Sequence, residues 1–400
     1  MAKLQVEHDD SVSESKLPRR DWIVLPLLSI LTIVVLITFL EGLSRRLLPE
    51  AGSLFVGACM VIHDPWVGLQ AIPNSVCQEK AAEGRWTEYR FNRCGHRAGM
   101  ECGPAPAGAY RIVMTGSSYG FGYMVPREKS FAALLPVELS ERTGSRIELY
   151  NTSMAGEFPY AAARRFHEVI AEKPDMIIWE LAPADIESSE PQAIPKEADR
   201  PGQTTGNKRS LVFDGTSKLQ KHAMGWHDHI ELMLRHFLYA SETQDQYVAS
   251  YLRNGDESSG FLKADLSPLW QERLGKLNSY AEVMQAQANA AHIPFVTVLL
   301  PNRAQAAMIS MNRWPPDYNP YELDDKLRAI IVSHGGIYLD VLPDFRTIST
   351  PEQYYFAVDG HPTAEGHAII ASLLAKALTS GGIPRFGGAT QAKAVIEGAR

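Results

Sequence analysis

Residues Arg111–Pro126 read RIVMTGSSYGFGYMVP. A β-branched, apolar run stops at Thr115-Gly116, two serines follow, and Gly120 and Gly122 continue the turn. Such a run broken by small polar residues predicts a buried strand feeding a turn. Three readings fit these residues. Gly116–Gly120 matches the five-residue G-x-S-x-G nucleophile elbow with Ser118 at its centre. Ser118 also suits a different hydrolase architecture, in which the nucleophile follows the first strand. The third reading is a serine that only caps the next helix.

The downstream pattern separates them. After Tyr110–Thr115, helix signals around Ser130–Arg142, Tyr160–Glu172, Trp270–Ala291, Tyr321–Ser333 and Thr363–Leu378 alternate with apolar runs at RIELYNTS (from Arg146), DMIIWEL (from Asp175), PFVTVLL (from Pro294) and IYLDVL (from Ile337). Near-continuous apolar strands between helices predict a parallel sheet covered on both faces. The expected fold is three-layer α/β/α with a five-stranded, mostly parallel sheet of flavodoxin-like type. An elbow needs several strands before it, whereas Ser118 follows the first. The HGG at His334–Gly336 lies far downstream and reads as a helix-to-strand turn.

At the other end stands YFAVDGHPTAEGHAIIASLLAKAL, from Tyr355. Asp359 and His361 sit on a predicted loop, with Pro362 at the start of the final helix. A carboxylate that close to an imidazole can orient it, and the imidazole can then take a proton from a serine and return it to a leaving group. Strand ends on one edge of an open α/β sheet are where such groups converge. His367 falls inside the predicted helix and reads as a packed residue.

A serine turn after the first strand, joined to a C-terminal Asp-x-His-Pro, resembles the SGNH/GDSL hydrolases. The similarity runs from about Asn92 to Leu378, leaving out an insertion. GSSYGFGYMVPREKSFAALL resembles the family's first block, YNTSMAG its second, PDMIIWELAPAD its third and DGHPTAEGH its last. The resemblance implies Ser118 as nucleophile, His361 as general base and acid, Asp359 as its orienting partner, and the N–H groups of Ser118 and Gly156 as oxyanion donors. It implies ester hydrolysis through an acyl-serine, without metal or organic cofactor. Relatives acting on O-acetyl groups of surface glycans make O-acyl (acetyl) esters of envelope glycans, or related small esters, the expected substrates. Acyl transfer to a sugar hydroxyl, or a non-catalytic glycan-binding scaffold, are the alternatives.

This chain departs from the pattern at three places, the mildest being the shorter Asp359-Gly360-His361 spacing. Ser117 stands where aspartate is usual. The third-block asparagine, whose side chain serves the oxyanion, is replaced by Ala184 within Ala182-Pro183-Ala184-Asp185. Loss of one such donor costs about 10²–10³ in rate. Asn151, Ser153 and Asn302 also end predicted strands at the same edge. Tyr119, Phe121 and Tyr123 either line the site or pack the first helix.

The rest of the chain sets the context. Trp22–Leu40, WIVLPLLSILTIVVLITFL, carries no charge, and at ~1.5 Å per residue reaches about 28 Å, a bilayer's hydrocarbon thickness. It is expected to span a membrane, with residues 1–21 as a cytoplasmic tail and the catalytic domain outside the cytoplasm, periplasmic or at the cell surface. Residues 41–108 hold all four cysteines; three connectivities are open, and nearest-neighbour pairing, Cys59 with Cys77 and Cys94 with Cys102, is expected. Within this segment RWTEYRFN (Arg85–Asn92) reads as a strand. Residues 109–380 form the expected hydrolase domain, with an insertion over 187–268 containing an amphipathic helix near His229–Leu252, and 381–400 a loose tail. His222, His227, His229 and His236 in the insertion read as solvated rather than metal ligands. A formal net charge of −7, with acids and bases interspersed, gives no nucleic-acid footprint.

Overall fold

The computed structural model describes residues 18, 20–47, 53–56, 59–62, 69–81, 83–187, 220–222 and 228–381. The expected tails, most of the insertion's first half, and His227 lie outside these residues.

The central sheet holds β1 (Tyr110–Thr115), β2 (Ile147–Asn151), β3 (Met176–Leu181), β4 (Phe295–Leu299) and β5 (Ile337–Leu339). Every pairing is parallel, and the spatial order is β5-β4-β3-β1-β2. This is the doubly wound order 2-1-3-4-5, whose switch point lies between β1 and β3. Strands β1 to β4 are buried at every position, which is why their sequences run apolar without alternation.

The first crossover moves one way from β1 and the later ones move the other way. Right-handed connections therefore place their helices on opposite faces. The helices are α1 (Asp21–Leu47), α2 (Ser118–Phe121), α3 (Phe131–Thr143), α4 (Pro159–Ala171), α5 (Asp228–Ser241), α6 (Gln244–Tyr251), α7 (Pro268–Ala290), α8 (Arg303–Met311), α9 (Glu322–Ser333) and α10 (Ala364–Thr379), besides single turns at Pro183–Glu187 and Asp256–Ser259. Helices α3 and α10 pack together on one face, and α4, α7 and α9 on the other. Phe166, Trp179 and Phe295 stack between α4 and the sheet. Burying each such side chain contributes roughly 1.5–3 kcal/mol.

Two details differ from the sequence reading. The single helix expected over His229–Leu252 is two, because Thr243 opens a second one with a reciprocal capping box to Gln246. That box satisfies two backbone donors at a new helix start and ends the first run. Helix α8 was not anticipated; Asn302 caps it by accepting the Gln305 N–H at 2.8 Å.

The covering segment is woven into the domain. Thr87–Arg90, Val76–Lys80, Ser53–Val56 and Gln220–His222 form an antiparallel sheet in that order, so a piece of the insertion completes it. Both expected disulfides are present, Cys59–Cys77 and Cys94–Cys102. A satellite core of Cys59, Cys77, Tyr89, Phe91, Phe121 and Met154 joins this segment to the serine turn. Arg97, buried there, donates to the carbonyls of Phe121, Gly122 and Val125 at 2.7–2.8 Å. Helix α1 covers the expected apolar run and continues to Leu47; Asp21–Arg46 is long and apolar enough to cross a membrane.

Candidate active site

Strand β1 ends at Thr115, and Ser118 opens α2, a helix of one turn. No side chain of Ser117 caps it. Glu180, fully buried on β3, does so instead, accepting the Ser117 N–H at 3.2 Å and the Gly120 N–H at 2.9 Å. The turn lies so close to β3 that a Cβ on Gly120 would stand 2.6 Å from Ser153 Oγ and 2.8 Å from Glu180 Oε2. Only glycine fits there.

Burial pushes the Glu180 carboxyl well above the carboxylate range; repulsion from Asp185 adds to this, and the two N–H donors offset part of it. Asp185 is likewise raised by burial, against the Ser117 hydroxyl, the Ala182 N–H and the charge of His361. Burial of both carboxyls and their mutual repulsion disfavour double ionisation.

The other half of the site is the loop before α10. Gly360 adopts φ +87°, a conformation that costs glycine little, and both flanking side chains turn to one side. Asp359 Oδ1 accepts the His361 N–H at 3.2 Å and lies 2.5 Å from His361 Nδ1. His361 Nε2 is 2.7 Å from Ser118 Oγ. With Nδ1–H directed to Asp359, Nε2 presents its lone pair to the serine hydroxyl. Burial raises the Asp359 carboxyl, but the hydrogen bond and charge of His361 outweigh it and hold it below the ordinary value.

Five further contacts fix this loop. Tyr119 Oη donates to the Gly360 carbonyl at 3.2 Å. The rings of Tyr119 and Tyr123 flank the imidazole at 5.4 and 5.0 Å. From the covering segment, Glu83 Oε2 accepts the N–H groups of both Val358 and Asp359 at 2.8 Å.

The remaining candidates fall out as follows. Gly156 occupies an exposed turn after β2 with φ +80°. Ala184 is exposed in the turn after β3. Asn151 donates to the Gly120 carbonyl at 2.8 Å and so braces the serine turn. Asn302 caps α8 and donates to Tyr251 Oη. His367 is fully buried in α10, stacked on Phe131 and accepting its N–H. His236 pairs with Glu83 at 3.3 Å, and no cluster suited to a metal occurs among the described residues. Glu180 and Glu83 were not anticipated. A lone Glu inside DMIIWEL was a readable signal for the first; nothing local marked the second.

The chain thus has a parallel sheet of order 2-1-3-4-5, with a serine after its first strand and an Asp-x-His loop before its last helix. No family model and no curated protein sequence matches the chain. Among solved structures it is similar to an α/β hydrolase from the metagenome of Lake Arreo, at 14% identity and TM-score 0.37 over 67% of this chain and 94% of that one. It is also similar to a putative lipolytic protein of the G-D-S-L family from Desulfitobacterium hafniense, at 14% identity and TM-score 0.35 over 67% and 99%. A lipase/acylhydrolase from Enterococcus faecalis is similar at 14% identity and TM-score 0.36 over 67% and 95%.

Proposed function

We propose that this chain is a membrane-anchored serine ester hydrolase of SGNH type. The observation that carries the reading is the continuous hydrogen-bonded line from Ser118 Oγ through His361 to Asp359. His361 Nε2 takes the Ser118 proton as Oγ attacks the ester carbonyl, and Asp359 stabilises the imidazolium. The N–H groups of Ser118 and Gly156 meet the developing oxyanion; the first heads α2, where N–H groups have no intrahelical partner. Collapse expels the alcohol with the proton from His361. Water, activated by the same imidazole, then frees the acyl group from Ser118.

The substrate class is an O-acyl ester, with acetylated envelope glycans as the leading candidate, and α1 keeps the site near them. A second reading, acyl transfer to a sugar hydroxyl, draws on Ala184. A weakened oxyanion site slows every acyl step, so productive turnover comes to depend on a bound acceptor. The full chain in detergent, given p-nitrophenyl acetate, tests the first reading. Acetate release abolished by Ser118→Ala and by His361→Ala is the expected result. Release that appears only with an acceptor glycan selects transfer, and activity unchanged in Ser118→Ala overturns both.

A further inference from the structure

Helix α5 carries an apolar stripe that the catalytic domain does not cover. Ile230, Leu234, Phe237 and Leu238 recur at i, i+4, i+7 and i+8, which puts them on one face of the helix. Leu234 is 57% exposed, Phe237 71% and Leu238 50%. The opposite face holds the helix to the protein: Leu232 is buried, Tyr239 meets Tyr247 edge to face, and His236 meets Glu83. An apolar stripe on a helix already anchored by its other face fits a second apolar medium.

The position of α5 says which medium. It packs against α1. Along α1, most of the large side chains from Trp22 to Phe39 are exposed, whereas Glu41 and Ser44 are buried. The apolar run ends at Leu40, so the buried part of α1 is the stretch just beyond a bilayer-spanning segment. Helix α5 therefore stands where the chain leaves the hydrocarbon.

We infer that α5 is an interfacial helix whose Ile230/Leu234/Phe237/Leu238 stripe lies in the lipid headgroup boundary beside α1, docking the catalytic domain onto the bilayer that α1 crosses. The inference rests on reading α1 as a membrane span and is independent of the ester chemistry. Its consequence for the site is geometric. The Glu83 carboxylate that meets His236 on α5 also holds the Asp359 loop, so the histidine side of the active site is tied to the membrane-facing helix. Substrates would be met at the lipid surface, not far out in solution.

The test places a nitroxide on the full chain in phosphatidylcholine/phosphatidylglycerol nanodiscs, after oxidative folding has formed both native disulfides. Val34→Cys, Leu234→Cys, Phe237→Cys and Arg235→Cys are labelled singly, and accessibility to oxygen is compared with that to a water-soluble nickel chelate. All four sites are exposed, so folding tolerates them. Val34 should read as deep hydrocarbon. Leu234 and Phe237 should read about 5–10 Å into the headgroup and acyl boundary, and Arg235, about 100° round the helix, as shallower. Val34 deep with 234 and 237 in water overturns the inference alone. Val34 in water overturns the membrane span and the inference together. Spin–spin broadening between copies at 237 assigns the stripe to a second copy of the chain and overturns lipid docking. Acetate release measured on the same samples reports the ester reading separately.

Discussion

Glu83 holds Asp359 by its backbone: one carboxylate oxygen accepts the N–H groups of Val358 and Asp359, each at 2.8 Å. The two residues are far apart in sequence, and Glu83 belongs to the segment preceding the α/β domain. Hydrogen bonds to a charged acceptor contribute about 1.5–3 kcal/mol each. Their loss leaves the triad residues present but badly aimed. Glu83→Ala is expected to lower kcat for p-nitrophenyl acetate by about 10- to 100-fold, the scale on which small misplacements of reacting groups act, with KM nearly unchanged. Glu83→Gln keeps an acceptor and should recover much of the loss. A rise in KM alongside the fall in kcat, unrescued by Gln, would point to general unfolding of the segment instead.

Within the triad, Asp359→Asn should be less damaging than Ser118→Ala. The asparagine can still touch Nδ1 but favours the wrong tautomer, for a loss of about 10⁴ in kcat. Loss of the serine removes the nucleophile and leaves only what the oxyanion donors and binding supply. Burst kinetics with an activated ester separates the two: Asp359→Asn should retain a slow acyl burst, and Ser118→Ala none.

The buried Glu180–Asp185 pair gives a pH signature with a definite sign. Both carboxyls are raised in the folded protein, so above the ordinary carboxyl range, about pH 4, the folded state holds a proton that the unfolded chain releases. Stability therefore falls as pH rises beyond that range. Glu180→Gln stays neutral and should show a flatter decline in urea midpoint between pH 5 and 8. Equal slopes for variant and wild type would remove the pair as the cause.

Gly120→Ala tests how closely the serine turn sits on β3. Its new methyl would meet Ser153 Oγ and Glu180 Oε2, displacing Ser118 from His361. Acetate release should fall by at least tenfold while far-ultraviolet circular dichroism is unchanged.

The disulfide between Cys59 and Cys77 closes a separation of 18 residues, worth about 3 kcal/mol by chain entropy. The double variant Cys59→Ser/Cys77→Ser, which leaves Cys94–Cys102 intact, should lower the urea midpoint accordingly. An unchanged midpoint would mean that the covering segment does not need its cross-link.

The sheet was legible because β1 to β4 are mostly apolar without alternation, a pattern that two-sided burial explains, and because Ser118 and His361 lie in short stretches with strong local signatures. Glu180 sat in plain view as the single charge in a buried strand, yet its target, the backbone of the serine turn, is a contact between strands. Glu83 had no local mark at all, since its role exists only once the covering segment closes over the Asp359 loop. The division of the insertion's helix was readable in principle from Thr243 and Gln246, and was overridden by a continuous amphipathic pattern.

The satellite core responds to heat separately from the sheet. Tyr89, Phe91, Cys59 and Cys77 pack on Phe121 and Met154, apart from the large core around the sheet. A small cluster opens at lower free energy than the body it leans on. On warming, the wall behind the serine turn should loosen while the sheet is still intact. Such an enzyme has two ceilings: a lower temperature at which it stops working and a higher one at which it comes apart, with cooling from between them restoring activity.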